Sequence, residues 1–314
     1  MNKIKAFFKL VRWTNLLIIA MMMCLVNYCL MSPLHASGIV GAVPSSPAFL
    51  LLVISLVFIV AGGYVINDYF DVETDKINKP DKLIAGNVFT DKELKFFYKS
   101  LTFIGLLTGL ISSVMLMGVR FVTLLAILLL LSCLLYSYSY IYKRKFLVGN
   151  IIVSVSVAFA VFLPWLFESF HLSNNALILS ACKETMMNIL PFVLIYTAFA
   201  FLTTLIREIV KDAEDYNGDS VTSCNTIPVV CGMLKTKIIV GVLSFVLYVF
   251  LAYFHWVLAR IQADIAVYIL IVAETLGIML LPILFNIKEF ADFHRLSVML
   301  KMIMVVGILT MLFI

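Results

Sequence analysis

The chain has 314 residues, of which 63% are hydrophobic and only 13% charged, with a formal net charge of +5 and a mean hydropathy of +1.09. This composition excludes a soluble globular protein and indicates a polytopic membrane protein. Because the apolar runs cover most of the chain, we predict an all-α membrane bundle that forms one domain, residues 1–314.

Nine apolar runs are long enough to span a membrane as helices. The last run is barely long enough, so eight spans remain an alternative. Between the runs, the segments 76–95 and 208–236 are long and polar, and we expect short helices there that cap the bundle. Thr90 and Glu93 have the spacing of a capping box and predict a helix start. The nine runs are about 14–31, 47–67, 96–117, 120–140, 148–169, 187–207, 237–257, 264–286 and 297–314.

The distribution of basic residues predicts the orientation in the membrane. With nine spans, twenty of the 23 lysines and arginines fall on the side of the N-terminus and three on the other side. Since positive charge accumulates on the cytoplasmic side, the N-terminal side faces the cytoplasm. We therefore predict an integral membrane protein of the bacterial inner-membrane type, with its active site facing the cytoplasm.

Two acidic segments, residues 67–75 and 211–219, directly follow the second and sixth apolar runs and so emerge on the same side. On a continuous helix, the acidic residues of each segment would form a column on one face. Carboxylates stacked in this way repel one another, and a hard divalent cation such as Mg²⁺ relieves that repulsion while it bridges to phosphate oxygens. The pattern predicts a Mg²⁺–diphosphate site shared by two helix ends; the alternative is a pair of acidic loops in water. The predicted metal ligands are Asn67, Asp71, Asp75, Asp212, Asp215 and Asp219.

Basic residues on the same side could bind the diphosphate by preorganised electrostatics. Arg207 and Lys211 precede Asp215 by eight and four residues, on its own helix face. Taken singly, each of these cations is explained by the positive-inside bias. The predicted diphosphate-binding residues are Lys79, Lys82, Lys143, Arg144, Arg207 and Lys211.

Aromatic residues close to these helix ends offer π faces that stabilise an allylic cation. Tyrosine is also common at membrane interfaces for unrelated reasons, so that alternative stays open for each residue. The aromatic candidates are Tyr69, Phe70, Tyr136, Tyr138, Tyr140, Tyr142 and Tyr196.

The pattern Asn-Asp-x-x-Asp-x-x-x-Asp at 67–75 and the later Asp-x-x-x-Asp at 215–219 resemble the two signatures of the UbiA superfamily of intramembrane prenyltransferases. The similarity extends to residues 78–86, where lysines replace the arginines of that family, to Lys143-Arg144 with Gly149-Asn150, and to Arg12 with Asn15. Segments 67–71 and 207–219 are most similar to the digeranylgeranylglyceryl phosphate synthase-like subgroup.

The resemblance implies nine helices around a central cavity, Mg²⁺ as cofactor and a prenyl diphosphate as donor. The acceptor would be a geranylgeranylglyceryl phosphate-like membrane lipid or, alternatively, an aromatic quinone precursor such as 4-hydroxybenzoate or dihydroxynaphthoate. We expect release of pyrophosphate, contact with membrane lipid and no nucleic acid partner. The residues predicted to be catalytic are Asn67, Asp68, Asp71, Asp75, Asp215 and Asp219.

Three further features have two interpretations each. Acidic clusters also serve as ion ligands, so a cation transporter is an alternative, although transporter sites lie near the bilayer midplane. Glu274 lies within an apolar run and is either functional or simply hydrogen-bonded inside the bundle. Gly105 and Gly109 match the small-xxx-small pattern, for which we expect internal packing rather than dimerisation.

Overall fold

The computed structural model describes residues 2–78, 80, 83–116, 121–222, 224–287, 289 and 292–314. Within these ranges the chain is helical, apart from turns, loops and an isolated bridge between Ala85 and Phe89. The α-helices are α1 (Lys3–Leu10), α2 (Trp13–Leu25), α3 (Ser32–His35), α4 (Ser46–Phe70), α5 (Val72–Asn78), α6 (Asp91–Met115), α7 (Phe121–Tyr140), α8 (Val148–Leu172), α9 (Ala176–Glu214), α10 (Tyr216–Val221), α11 (Ile227–Cys231), α12 (Met233–Arg260), α13 (Asp264–Asn286) and α14 (Phe293–Leu309).

Nine helices of the described chain are long and apolar enough to cross a membrane, as predicted. The last extends through Phe313 and has 21 residues, so it qualifies as a span. The sixth differs most from its prediction, because α9 has 39 residues, about 58 Å at 1.5 Å per residue. It therefore carries Arg207 and Asp212 on the same helix that spans the membrane.

The chain divides into two compact units. The first comprises Met1–Tyr140 and Ala160–Val193, and the second comprises Ile141–Phe159 and Leu194–Ile314. The first acidic segment lies in the first unit and the second acidic segment lies in the second unit. That the whole chain acts as one domain stays a prediction.

In the first unit, α4 and α6 approach closely at glycines. A Cβ atom on Gly105 would lie 2.9 Å from the backbone oxygen of Ser55 and 2.8 Å from Cγ1 of Ile59. A Cβ atom on Gly109 would lie 2.6 Å from Oγ of Ser55. The expectation of internal packing at these glycines is confirmed, and the contact fixes α4, the helix that leads into the first acidic segment.

The predicted capping box at the start of α6 is also confirmed. The Thr90 hydroxyl accepts a hydrogen bond from the Glu93 backbone N–H at 3.3 Å, and the Glu93 carboxylate accepts one from the Thr90 backbone N–H at 2.8 Å. Lys3 of α1 forms an ion pair with Glu93 at 2.8 Å. These contacts hold α1 beside the start of α6, over a small core that includes Leu10 and Phe89.

Short helices occur in the polar segments, as expected: α5 directly after α4, and α10 and α11 after α9. Their predicted capping role stays a prediction. The sequence also predicts a short turn around Gly118, between the third and fourth apolar runs, and this turn lies outside the described residues.

Candidate active site

Both acidic segments lie where a long helix breaks and a short one begins. Asp71 separates α4 from α5 with φ −90° and ψ −2°, and Asp215 separates α9 from α10 with φ −91° and ψ 11°. A ψ near 0° lies outside the helical range and in the bridge region, where many active-site residues are found. The expectation of a continuous helix through each segment is therefore wrong at these two residues, because the helical backbone conformation is interrupted there.

Backbone hydrogen bonds continue across each break and keep the acidic residues near one another. The N–H of Asp71 donates to Asn67 O at 3.0 Å, and the N–H of Asp75 donates to Asp71 O at 2.8 Å. In the second segment, Asp215 N–H donates to Lys211 O at 2.9 Å, and Asp219 N–H donates to Asp215 O at 3.1 Å. The two segments thus have the same local architecture, as a duplicated helical unit would produce.

Asn67 and Asp71 form the buried centre of the first segment. The side-chain amide of Asn67 donates to Oδ2 of Asp71 at 2.6 Å, and the two residues are 8% and 9% exposed. Oδ1 of Asn67 is buried and has no hydrogen-bond partner in the structure. Asp75 lies on α5 and is half-buried. A buried amide oxygen of this kind is costly unless a ligand takes it up.

Asp68 is held by a residue that the sequence analysis noted only as similar to a family feature. A guanidinium nitrogen of Arg12 lies 2.8 Å from Oδ1 of Asp68, and the same guanidinium lies over the Tyr64 ring at 4.7 Å. Arg12 has φ 51°, a left-handed conformation that is uncommon for a residue with a side chain. The turn between α1 and α2 thus directs Arg12 towards the end of α4.

The second segment is supported by a different contact. Asn150 of α8 is buried, and its side-chain amide donates to Oδ2 of Asp212 at 2.7 Å. Asp219 is 6% exposed, and its backbone oxygen accepts from Cys224 N–H at 3.0 Å. The hydrogen bond from the Asn150 amide fixes the Asp212 carboxylate. In the sequence, only the similarity of Gly149-Asn150 to the family drew attention to Asn150.

Glu208 is a further functional candidate, and it lies outside the two acidic segments that the sequence pattern indicated. Its carboxylate lies 3.1 Å from Arg207 and 3.3 Å from Lys211, the two cations predicted to bind diphosphate from this helix. All three side chains are largely buried, with 11% to 30% exposed. Glu208 therefore orients these cations and competes with any anionic ligand for them.

The remaining predicted cations divide into two sets. Lys143 and Arg144 lie on a short 3-10 helix, Tyr142–Arg144, whose last carbonyl accepts from Asn225 N–H at 3.0 Å. This bond joins the predicted cations to the chain that follows α10. Lys79 and Lys82 lie outside the described residues.

Several of the predicted aromatic residues form a cluster beside the first segment. The ring centroid of Phe70 lies 5.1 Å from that of Tyr69, 6.1 Å from that of Tyr136 and 5.4 Å from that of Tyr140. Tyr196 is different: it is buried in the second unit, with its hydroxyl 2.5 Å from Oγ1 of Thr310. Phe70 and its neighbours thus remain candidates for cation stabilisation, whereas Tyr196 supports packing.

The other polar groups noted in the sequence have partners. Glu274 lies 3.1 Å from Nδ1 of His255 and is hydrogen-bonded inside the second unit. Cys224 is buried and contacts Oγ1 of Thr222 at 3.4 Å. Burial raises the pKa of the Cys224 thiol, which lowers the fraction of reactive thiolate at neutral pH.

The residues of both segments have the chemistry to hold Mg²⁺. In the described part of the chain, no three His, Cys, Asp or Glu side chains are grouped so that they alone could bind a metal ion. Mg²⁺ usually takes only one or two carboxylates and completes its shell with water and substrate phosphate. The Asn67 amide oxygen beside the Asp71 carboxylate is a donor set of that kind, so the site fits this ion.

Two curated relatives are both named digeranylgeranylglyceryl phosphate synthase. The protein from Sulfurisphaera tokodaii is 33% identical over 256 residues, which cover 80% of this chain and 79% of that one. The protein from Saccharolobus solfataricus is 33% identical over 178 residues, so the chain spans 55% of that relative's length.

Solved structures share the fold. A digeranylgeranylglyceryl phosphate synthase structure aligns with a TM-score of 0.59 at 24% identity and covers 99% of this chain and 98% of that one. A UbiA homologue from Archaeoglobus fulgidus, bound to GPP and Mg²⁺, aligns with a TM-score of 0.52 at 15% identity over 98% and 99%. The all-α transmembrane fold is thereby confirmed, and the homologue holds the cofactor that was predicted.

The sequence model of the UbiA prenyltransferase family matches residues 20–299, and so includes both acidic segments. This match and the two named synthases confirm the predicted prenyltransferase, and the match together with the nine apolar helices confirms an integral membrane protein. The chain belongs to the UbiA prenyltransferase family.

Proposed function

We propose that this prenyltransferase moves a geranylgeranyl group from its diphosphate to geranylgeranylglyceryl phosphate, in a reaction that requires Mg²⁺. The observation that carries the proposal is the matched pair of broken helices, each with an aspartate at the break and further carboxylates on either side. The names of the two relatives support the choice of acceptor. The same names support a geranylgeranyl chain on the donor.

The reaction breaks the C1–O bond of the donor, and the electron pair leaves with pyrophosphate. The acceptor hydroxyl oxygen then bonds to C1 and loses its proton to the departing pyrophosphate or to water. When bound, Mg²⁺ neutralises the diphosphate and acts as a Lewis acid on the leaving group. The protein's own residues bind this ion, position the substrates and exclude water.

The first acidic segment supplies metal ligands from Asn67, Asp71 and Asp75. Arg12 fixes the rotamer of Asp68 through their 2.8 Å contact, so the carboxylate is already oriented when substrate arrives. The aromatic cluster around Phe70 faces the developing allylic cation with π surfaces.

The second acidic segment supplies ligands from Asp212, Asp215 and Asp219. Lys211 lies one helical turn before Asp215 and stabilises the charge that develops on pyrophosphate. Lys143, Arg144 and the two lysines beyond the described residues, Lys79 and Lys82, complete the proposed diphosphate-binding set. Because both segments follow even-numbered spans in the sequence, they emerge on one side, which the charge bias makes the cytoplasmic side of the membrane.

The test is a reconstitution assay with the full chain in nanodiscs. Geranylgeranyl and farnesyl diphosphates serve as donors, each with Mg²⁺ or with EDTA. Acceptors are geranylgeranylglyceryl phosphate, 4-hydroxybenzoate and dihydroxynaphthoate, with products identified by mass spectrometry. A Mg²⁺-dependent digeranylgeranylglyceryl phosphate product is the expected result; prenylated aromatic product with no lipid product would reject the proposed acceptor.

A further inference from the structure

Helices α9 and α14 lie antiparallel in the second unit, in a register that contacts along their length define. Glu214, the last residue of α9, lies 3.2 Å from Nδ1 of His294 near the start of α14. Further along, a Cβ atom on Gly307 would lie 2.5 Å from the ring of Phe199. The hydroxyls of Tyr196 and Thr310 close the far end at 2.5 Å.

This register places Arg207 opposite Lys301. Arg207 lies seven residues before Glu214, and Lys301 lies seven residues after His294. Seven residues are two helical turns, or about 10 Å, so the two cations occupy the same level.

Two cations that face each other from neighbouring membrane-spanning helices favour the binding of an anion between them. Like charges repel strongly where little water screens them. Glu208 lies 3.1 Å from Nη1 of Arg207, yet Nε of Arg207 is buried and has no hydrogen-bond partner. The guanidinium therefore keeps a donor for a further acceptor, and guanidinium with ammonium is a strong combination for phosphate.

Arg207 and Lys301 lie at a different position along the helix axes from the aspartates that are proposed to bind the metal ion. Arg207 precedes Asp215 by eight residues, or about 12 Å along the helix axis. Lys211 precedes Asp215 by only one turn, or about 6 Å. Lys211 is thus placed to serve the donor diphosphate, while Arg207 and Lys301 are placed to serve a second anion deeper in the bundle.

We propose that Arg207 and Lys301 form an anion subsite that binds the phosphate monoester of the acceptor lipid, with Lys301 as a specificity-determining residue. The inference rests on the proposed function, and it reassigns Arg207 from donor to acceptor. Two cations match a phosphate dianion better than the single charge of an aromatic carboxylate. The subsite would orient the acceptor so that its hydroxyl, not its phosphate, meets C1 of the donor.

The test measures equilibrium binding of radiolabelled lipids to the full chain in nanodiscs. The probes are geranylgeranylglyceryl phosphate, the same lipid without phosphate, and geranylgeranyl diphosphate with Mg²⁺. Wild type and Lys301→Met are compared with Lys301→Arg, which keeps the charge, and with Lys235→Met, an identical replacement at an exposed lysine of the same unit.

Wild type should bind the phosphate lipid at least about tenfold more tightly than the alcohol, since a charge-assisted contact is worth about 1.5–3 kcal/mol. Lys301→Met should remove that preference, and Lys301→Arg should retain most of it. All four proteins should bind geranylgeranyl diphosphate within about twofold of one another, which also shows that each variant is folded.

Three outcomes would overturn the subsite. Equal binding of the phosphate lipid and the alcohol by wild type would show that no such site exists. A Lys301→Met protein that loses donor binding instead would show that the cluster holds the diphosphate. Displacement of the phosphate lipid by 4-hydroxybenzoate in wild type, but not in Lys301→Met, would assign the site to an aromatic carboxylate. Failure of wild type to bind geranylgeranyl diphosphate with Mg²⁺ would instead contradict the proposed function, which is therefore tested separately.

Discussion

The close approach of α4 and α6 predicts that Gly105→Ala destabilises the protein. The new Cβ would lie 2.9 Å from the Ser55 backbone oxygen and 2.9 Å from the Ile59 backbone nitrogen, and backbone atoms on another helix cannot yield as a flexible side chain can. The two helices would have to separate. Overpacking of this kind costs up to about 3 kcal/mol, while alanine gains about 1 kcal/mol over glycine in a helix interior.

The net expectation is a loss of about 2 kcal/mol, which would lower Tm by roughly 4–8 °C at about 2–4 °C per kcal/mol. Gly277→Ala is the matched control, because the same Cβ there would meet only Leu251 Cδ1 at an ordinary 3.8 Å. That variant should be unchanged or slightly stabilised by the helix propensity of alanine. Both would be compared with wild type by thermal unfolding in one detergent.

A Gly105→Ala protein as stable as Gly277→Ala would contradict this prediction. It would mean that α4 and α6 are not packed at van der Waals distance through this glycine. Since α4 ends at the first acidic segment, a destabilised Gly105→Ala protein should also show reduced turnover, measured at a temperature where it remains folded.

Four further predictions concern the site. Asp71→Ala and Asp215→Ala should each abolish prenyl transfer while Tm stays close to wild type, and full turnover in either variant would remove that residue from the site. EDTA should abolish turnover and excess Mg²⁺ should restore it, as followed by pyrophosphate release; activity in EDTA would exclude a metal requirement. Arg12→Met should lower kcat about tenfold or more, because a charged hydrogen bond of about 1.5–3 kcal/mol orients Asp68, and Arg12→Lys should recover part of the loss. In a variant whose only cysteine is Cys224, alkylation should be slow at neutral pH and accelerate as pH rises through the raised thiol pKa, whereas fast labelling at pH 7 would show that the thiol is not buried.

The membrane spans, the start of α6 and the acidic segments can be predicted from local sequence patterns. Apolar runs of membrane length fix the nine spans, since the bilayer sets the length of helix that must be apolar. The spacing of Thr90 and Glu93 fixes the start of α6, because a capping box satisfies backbone donors within one turn. The two acidic segments stand out because carboxylates are rare in this composition, with 18 Asp and Glu residues among 314.

Which side chains meet across elements depends on how the helices pack. Spacing predicted a column of carboxylates on a straight helix, whereas the helix breaks at Asp71 and Asp215, and hydrophobic periodicity carries no sign of such a break. Arg12 with Asp68, Asn150 with Asp212, and Arg207 opposite Lys301 join residues 56, 62 and 94 positions apart. The spans and the acidic segments could be predicted from local sequence because each depends on neighbours within a few turns. The partners of those acids and cations depend on helix packing, which local spacing does not encode.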